Sequence, residues 1–319
     1  MSTQNRPWLS VIFPVHHGEE WVGAALDSLA AQADPGIEIV TIDTSVDNAT
    51  RKIVESYADR LDIRFVDAAG AEGCSRKMNR GVAKARADHV SWLCQDDIWL
   101  PGRTEAVKTW IAQDPEAVLH LAPSAIVDAD GRSLGTWRCP LPDNGERIDR
   151  AGLLEKLLVQ NFVAVVSPVA RKDAWLAVGG IDPALWYTGD WELWIKLARH
   201  GAVRHHNRVT GGFRIHGKSA TSEGSRNRED FVHQHAMVME RHGDALEGGK
   251  AGEVRKLAEA SSAINADLAA AIHGESGALF RAAATALALG PAGLTRYLNR
   301  SRIVERVVPR LWAHIAGRL

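Results

Sequence analysis

The chain has almost no net charge: 38 lysines and arginines face 39 aspartates and glutamates in 319 residues, a formal −1 at pH 7. Without an excess of either sign there is no long-range field to gather nucleic acid or repel it, so a charged partner must be met locally. Cysteine is equally scarce. Cys74, Cys94 and Cys139 are too few and too scattered for a disulfide framework or a zinc knuckle, which suits a reducing, cytoplasmic setting. Met1 to Trp8 is polar and lacks the apolar stretch of a secretory signal. Nowhere do about 18 apolar residues run uninterrupted, as a membrane span requires. The expectation is a soluble protein, at most peripheral at the inner face of a membrane. Internal repeats and low-complexity linkers are also missing, which sets aside solenoids and tails.

What is present is an alternation of short apolar runs and amphipathic stretches. Leu9 to Val15 reads as a strand, and Trp21, Val22, Leu26 and Leu29 follow at helical spacing. Ile37 to Ile42 is a second strand, then come a helix from Ala49 to Asp59, a strand at Ile63 to Val66 and a helix from Ser75 to Ala87. His89 to Leu93 is a fourth strand, ending at Gln95-Asp96-Asp97, and a helix from Arg103 to Asp114 is stopped by Pro115. Strands separated by helices need crossover connections, so the sheet is expected to be largely parallel, with ligands beyond the carboxyl ends of its strands. The polar clusters at His16-His17, Asp43 to Asp47 and Asp96-Asp97 all fall at such ends. Further on, Asp128-Ala-Asp-Gly131 predicts a turn between extended stretches, Ala151 to Gln160 a helix, Phe162 to Pro168 an extended stretch, and Trp191 to His200 a helix closed by Gly201. From about Asn227 the pattern is helical to the end. The organisation expected is a domain over 1–225 and a helical extension over 226–319.

Ser91-Trp-Leu-Cys-Gln-Asp-Asp97 puts two adjacent carboxylates just past a buried strand. Mg²⁺ or Mn²⁺ takes hard oxygen ligands, often only one or two from protein and the rest from phosphates and water. Such an ion would neutralise a departing diphosphate. Taken alone, an Asp-Asp pair serves equally well as a turn cap.

Several motifs in register carry a resemblance. Leu9-Ser-Val-Ile-Phe-Pro-Val15, Ser28-Leu-Ala-Ala-Gln32, Glu38-Ile-Val-Thr-Ile-Asp-Thr-Ser45 with Asp47 and Thr50, then Gly73, Asn79, Gly81 and Ala85, all precede the acid pair. Together with Gly179-Gly-Ile-Asp-Pro183, Trp186-Tyr-Thr-Gly-Asp-Trp-Glu-Leu-Trp194 and Phe213-Arg-Ile-His-Gly217, they resemble the inverting family 2 glycosyltransferases over about residues 8 to 218. The resemblance implies a GT-A fold: a Rossmann-like, mostly parallel α/β sheet flanked by helices, here with a C-terminal helical extension. It implies a UDP-sugar or similar donor, Mn²⁺ or Mg²⁺, and transfer to a glycan, lipid-linked or small-molecule acceptor.

By that resemblance Pro14, Val15, His16, Asp43 and Thr44 hold the nucleoside, Asp96 lies near the ribose or diphosphate, and Asp97 binds the metal. Asp190 is the expected catalytic base, which would take the acceptor hydroxyl's proton during displacement, although its place at a helix start also suits an N-cap. Gly180 would let the chain pass close to the donor sugar. Trp191 and Glu192 would sit at the sugar or acceptor site, His216 on the metal or diphosphate, and Arg214 on the phosphates. Thr44 replaces a usual aspartate, and Gln95 replaces the first acid of an Asp-x-Asp motif. The stretch from Lys218 to Arg228 suits a lid or a solvated loop.

Near the C-terminus Arg296, Arg300, Arg302, Arg306 and Arg310 interleave with Val304, Val307, Val308, Leu311, Trp312 and Ile315. That basic amphipathic pattern suits an anionic membrane surface, packing on its own domain, or a second subunit. Two other classes compete: a nucleotide-sugar binding protein without turnover, against which Asp190 argues, and a nucleotidyltransferase. The latter needs a Gly-rich, basic phosphate loop after the first strand, and Pro14-Val-His-His-Gly-Glu19 is not one.

Overall fold

A computed structural model describes residues 6–219, 227–246 and 251–315. The amino half follows the expected alternation: β1 (Leu9–Val15), α1 (Val22–Ala30), β2 (Ile37–Asp43), α2 (Ala49–Glu55), β3 (Asp62–Phe65), α3 (Cys74–Lys84) and β4 (His89–Trp92). Every residue of β1 is buried, because helices cover both faces of the sheet and leave no wet side to demand alternation. β5 (Ile98–Trp99), α4 (Arg103–Gln113), β6 (Leu119–Leu121), β7 (Ser124–Val127), β8 (Ser133–Trp137), α5 (Arg150–Val159), β9 (Val169–Arg171), α6 (Lys172–Ala177), α7 (Gly189–His200), β10 (Val203–His205) and β11 (Gly211–Arg214) complete the α/β part.

Seven strands form the main sheet in the order β10-β6-β9-β4-β1-β2-β3. It is parallel except at β9, which runs antiparallel to both β4 and β6. The extended stretch expected at Phe162 to Pro168 is not a strand. Its apolar side chains are buried in irregular backbone, and pairing begins only after Pro168, whose missing N–H cannot serve a ladder. A second sheet, β5-β11-β7-β8, holds the hairpin whose turn at Asp128 to Gly131 was expected from sequence. There the Asp128 carboxylate accepts from the N–H groups of Asp130 and Arg132.

One feature of register opens the crevice. β1 and β4 pair only as far as Ile12 opposite Trp92, whereas β1 and β2 stay paired to Val15 opposite Asp43. Beyond Leu93, whose N–H still reaches the Ile12 carbonyl, β4 leaves β1 and turns toward the second sheet. The acid pair lies on that departing chain.

The carboxyl third is helical: α8 (Arg228–His242), α9 (Ala251–Ile272), α10 (Ala278–Ala288), α11 (Gly290–Ser301) and α12 (Ile303–Ile315). Val238, Val254, Leu257, Ile264 and Tyr297 belong to the same apolar cluster as Leu153, Leu157 and Trp194, so these helices share the core of the sheet domain. The boundary proposed near residue 225 lies outside the described residues, as does most of the basic stretch after Lys218. α12 packs against β8 of its own sheet domain, one of the placements its pattern allowed. Arg306 and Arg310 turn inward over the Trp137 ring, while Val304, Val308, Leu311 and Trp312 are exposed. No single described helix is long and apolar enough to cross a membrane; α10 and α11 qualify only together, across a 112° bend.

At the β6–β10 edge, His120 Nδ1 and His206 Nε2 lie 3.0 Å apart and His206 stacks on Trp110. Burial holds His120 down to about 3 and His206 to about 4. The unfolded chain takes up these protons near 6.5 and the folded chain does not, so stability is lost as pH falls below 6.5. Each histidine should contribute a loss of about 2 kcal/mol between pH 6.5 and 5. Urea titrations of His120→Leu should show a shallower pH slope than wild type over that window; an unchanged slope would exclude the pair as its source.

Candidate active site

The crevice is framed by the ends of β1, β2, β4 and β11 and by the starts of α3 and α7. Gln95 seals its floor. Its Oε1 accepts the His16 N–H at 2.8 Å and its Nε2 donates to the His16 carbonyl at 3.1 Å, tying the end of β1 to the chain leaving β4. An aspartate here could accept but not donate, which gives the departure at Gln95 a structural reason.

Asp97 is buried, at 1% exposure. Its Oδ1 accepts the Arg214 N–H at 3.0 Å, and its Oδ2 has no hydrogen-bond partner. Burial and the neighbouring Asp96 push its pKa well up, against the pull of that N–H. Asp96 is half-buried, with Oδ2 2.9 Å from His216 Nε2, while His216 Nδ1 is buried without a partner. Ligand atoms of Cys94, Asp96 and Asp97 lie within 4.8 Å of one another. A buried carboxylate oxygen left unpaired beside a second carboxylate is costly without a cation, so this set fits a divalent ion. A second group, His17, Glu19 and Asp47, is exposed.

Arg214 is placed differently from the expected phosphate ligand. Its Nε donates to the Asp96 carbonyl at 2.6 Å and its Nη1 to the carbonyls of Asp128 and Ala129, at 3.0 and 2.5 Å, with Trp21 under the guanidinium. It ties the acid pair to the β7–β8 turn.

At the ends of β1 and β2, Pro14 and Val15 are buried, and Asp43 Oδ1 accepts the Ser45 N–H at 2.8 Å. The exposed His16 places Nδ1 3.0 Å from the Thr44 carbonyl and 3.2 Å from Thr44 Oγ1. Lys77 escaped the sequence reading. It is buried on α3, donates to the Val15 carbonyl at 3.0 Å and to Thr44 Oγ1 at 3.1 Å, and burial lowers its pKa. A lysine on the apolar face shared with Met78, Gly81 and Val82 was the available signal.

Asp190 stands one residue inside α7, with Thr188 as N-cap, so the cap role expected as an alternative belongs elsewhere. Its Oδ1 accepts the Trp191 N–H at 2.7 Å and its Oδ2 the Asn161 Nδ2–H at 3.1 Å. Burial raises its pKa to about 6 despite these donors. Gly189 lets α7 start against α3, since a Cβ there would lie 2.6 Å from Ile181 and 3.5 Å from Ser75. The Cys74 thiol at the start of α3 feels the charges of Lys77, Asp96 and Asp190. The Cys74 and Cys94 thiols, scattered in sequence, influence each other here, which lowers the pKa of Cys74 and raises that of Cys94.

Three other expected residues lie elsewhere. Glu192, two positions along α7, is 3% exposed and meets Arg241 at 2.8 Å, Lys196 at 3.2 Å and His242 at 3.4 Å. Burial opposes its charge, but His242 and Arg241 override that and hold it down to about 2. Trp191 is a core residue, its Nε1 donating to the Leu157 carbonyl at 2.6 Å. Gly180 sits at φ 65° in a turn that Asn79 pins by hydrogen bonds to both the N–H and the carbonyl of Ile181. A groove lined by Leu29, Ala33, Ile37 and Asp62 lies at the amino ends of β2 and β3, away from this chemistry.

Comparison with known proteins locates the chain's relatives. Residues 10–158 match the family model described as glycosyl transferase family 2. The chain is 26% identical over 231 residues to an uncharacterized glycosyltransferase of Rickettsia prowazekii, covering 70% of this chain and 69% of that one. It is similar in structure to S. aureus TarS 1–349 in complex with UDP-GlcNAc (TM-score 0.59, 15% identity, 87% and 88% coverage). It is also similar to the Pyrobaculum calidifontis mannosyltransferase PcManGT in complex with GDP-Man and Mn²⁺ (TM-score 0.53, 19% identity, 97% and 88% coverage). The fold is thus that of the GT-A glycosyltransferases.

An acid whose folded pKa lies above its unfolded value binds more protons folded than unfolded, so it costs stability as pH rises from about 4 to about 6. Asp190→Asn removes that cost. Its melting temperature at pH 7.5 should equal or exceed that of wild type, and a clear drop would show that the carboxylate stabilises the fold.

Proposed function

We propose, from the premise that this chain belongs to glycosyl transferase family 2, that it transfers a sugar from a nucleoside-diphosphate sugar to an acceptor hydroxyl by single displacement with inversion. The observation that supports this most is the buried, unpartnered Asp97 Oδ2, together with an Asp190 at the start of α7 whose pKa burial raises to about 6.

At neutral pH Asp190 is largely ionised yet retains a raised proton affinity, which suits it to take the acceptor's proton as the new bond forms. Asn161 and the Trp191 N–H hold both of its oxygens, fixing the carboxylate's direction. Asp97 and Asp96 would hold a divalent cation, with His216 against Asp96, and such an ion would supply charge neutralisation for the departing diphosphate. Val15, Thr44 and Lys77 make a polar wall at the end of β1, and Asp43 closes the β2 side; there we place the nucleoside. UDP is our first choice of nucleotide, since the TarS structure holds UDP-GlcNAc, with GDP as in PcManGT the alternative. Arg214 is assigned to positioning the acid pair.

Asp190→Asn should lower transfer by at least about 100-fold while leaving donor affinity intact, measured with a panel of nucleotide sugars and Mn²⁺. Transfer at the wild-type rate would remove Asp190 from the mechanism. In wild type, kcat/KM should fall as pH drops through about 6. Asp97→Asn should abolish the Mn²⁺ dependence of UDP binding seen by calorimetry; a retained dependence would place the ion elsewhere.

A further inference from the structure

Resting on the reading of this crevice as a sugar-transfer site, we infer that Arg306 and Arg310 form a subsite for a phosphate group carried by the acceptor. Both belong to α12, which lies beside Asp190. Arg306 Nη1 donates to the Asn161 carbonyl at 3.3 Å, and the same Asn161 donates from Nδ2 to Asp190 at 3.1 Å. Arg310 Nη1 donates to the Arg306 backbone carbonyl at 2.8 Å, one turn back along α12. Both lie over Trp137, at 5.2 and 5.6 Å from its centroid, and Arg310 also reaches Phe213 at 6.0 Å.

Among the described residues nothing compensates their charges. Arg296, Arg300 and Arg302 each meet a carboxylate, at 3.0, 3.4 and 3.5 Å. Among the described residues no carboxylate pairs with Arg306 or Arg310, and Arg306 Nε is buried without a partner. Among the described residues Arg306 Nη2 donates to Asn265 Oδ1 at 3.4 Å. Burial pulls both pKa values down, that of Arg310 to about 10, and the Tyr187 hydroxyl lies in the field of both arginines and of Asp190.

Two neighbouring, largely buried cations without a counter-ion among the described residues are unfavourable, and the face of Trp137 offsets only part of that cost. An anion would offset the rest. Two planar forks supply the charge and the donors of a phosphate dianion, whereas one carboxylate balances a single charge. The donor's diphosphate already has the acid pair and its ion, so this second anion belongs to the acceptor. A soluble phosphomonoester and a lipid phosphate present the same group.

The test uses the full chain saturated with Mn²⁺ and with UDP or GDP, whichever binds. Glycerol 3-phosphate, vesicles containing phosphatidic acid and, as uncharged control, glycerol are then titrated. Binding of either phosphate probe, but not glycerol, is expected. The double substitution Arg306→Gln/Arg310→Gln should weaken it by at least about tenfold, Arg306→Lys/Arg310→Lys should recover part, and nucleotide affinity should be unchanged in both. Binding of glycerol 3-phosphate points to a soluble acceptor and binding confined to vesicles to a lipid one. The inference is overturned if wild type binds neither probe, if the Gln and Lys variants bind phosphate as wild type does, or if nucleotide affinity alone falls. Failure of wild type to bind any nucleotide with Mn²⁺ would instead strike the donor reading.

Discussion

A buried carboxylate with one oxygen satisfied and the other unpaired is the constraint around which this protein is organised. Asp97 takes the Arg214 N–H on Oδ1 and nothing on Oδ2. Left to itself, such a group protonates or draws in water. The fold prevents relaxation by fixing the chain on both sides. Gln95 clamps the backbone two residues before it to the end of β1, and Arg214 binds the carbonyl of Asp96 and the β7–β8 turn with one guanidinium. The second sheet therefore does more than cover the first: it supplies, through β11, the N–H that orients Asp97 and the imidazole that meets Asp96.

The two acids of α7 show how environment divides labour between like residues. Asp190 and Glu192 are two positions apart, which on a helix sends them to different neighbours. Glu192 meets three basic side chains and is held near 2, a permanent anion that anchors α7 to α8. Asp190 meets only neutral donors and rises to about 6. A tight ion pair makes a poor base, and a carboxylate with neutral partners a good one.

Much of this was legible in the sequence, because parallel-sheet strands and crossover helices leave local periodicities. β1 to β4, the helices between them and the turn at Asp128 were all readable, as was the convergence of polar clusters at strand ends. The motif at Trp186 to Trp194 located α7 and its acid. What was not legible depends on contacts between distant segments. Nothing local says that β9 inserts antiparallel, that Trp191 turns to the carbonyl of Leu157, or that Glu192 meets a helix some 50 residues onward. At α12 spacing left the partner open. Its alternation of arginines and aliphatics was real, but which face turns outward was decided by Trp137 and Asn161, far back in the chain. Lys77 likewise became meaningful only when α3 carried it under the end of β1.

Anomalous diffraction at the manganese edge, from crystals grown with Mn²⁺ and UDP, tests the central claim most directly. One peak is expected within bonding distance of Asp97 Oδ2, on the side of the crevice that Asp190 faces. A peak confined to the exposed His17, Glu19 and Asp47 group, with Asp97 Oδ2 still unliganded, would contradict it.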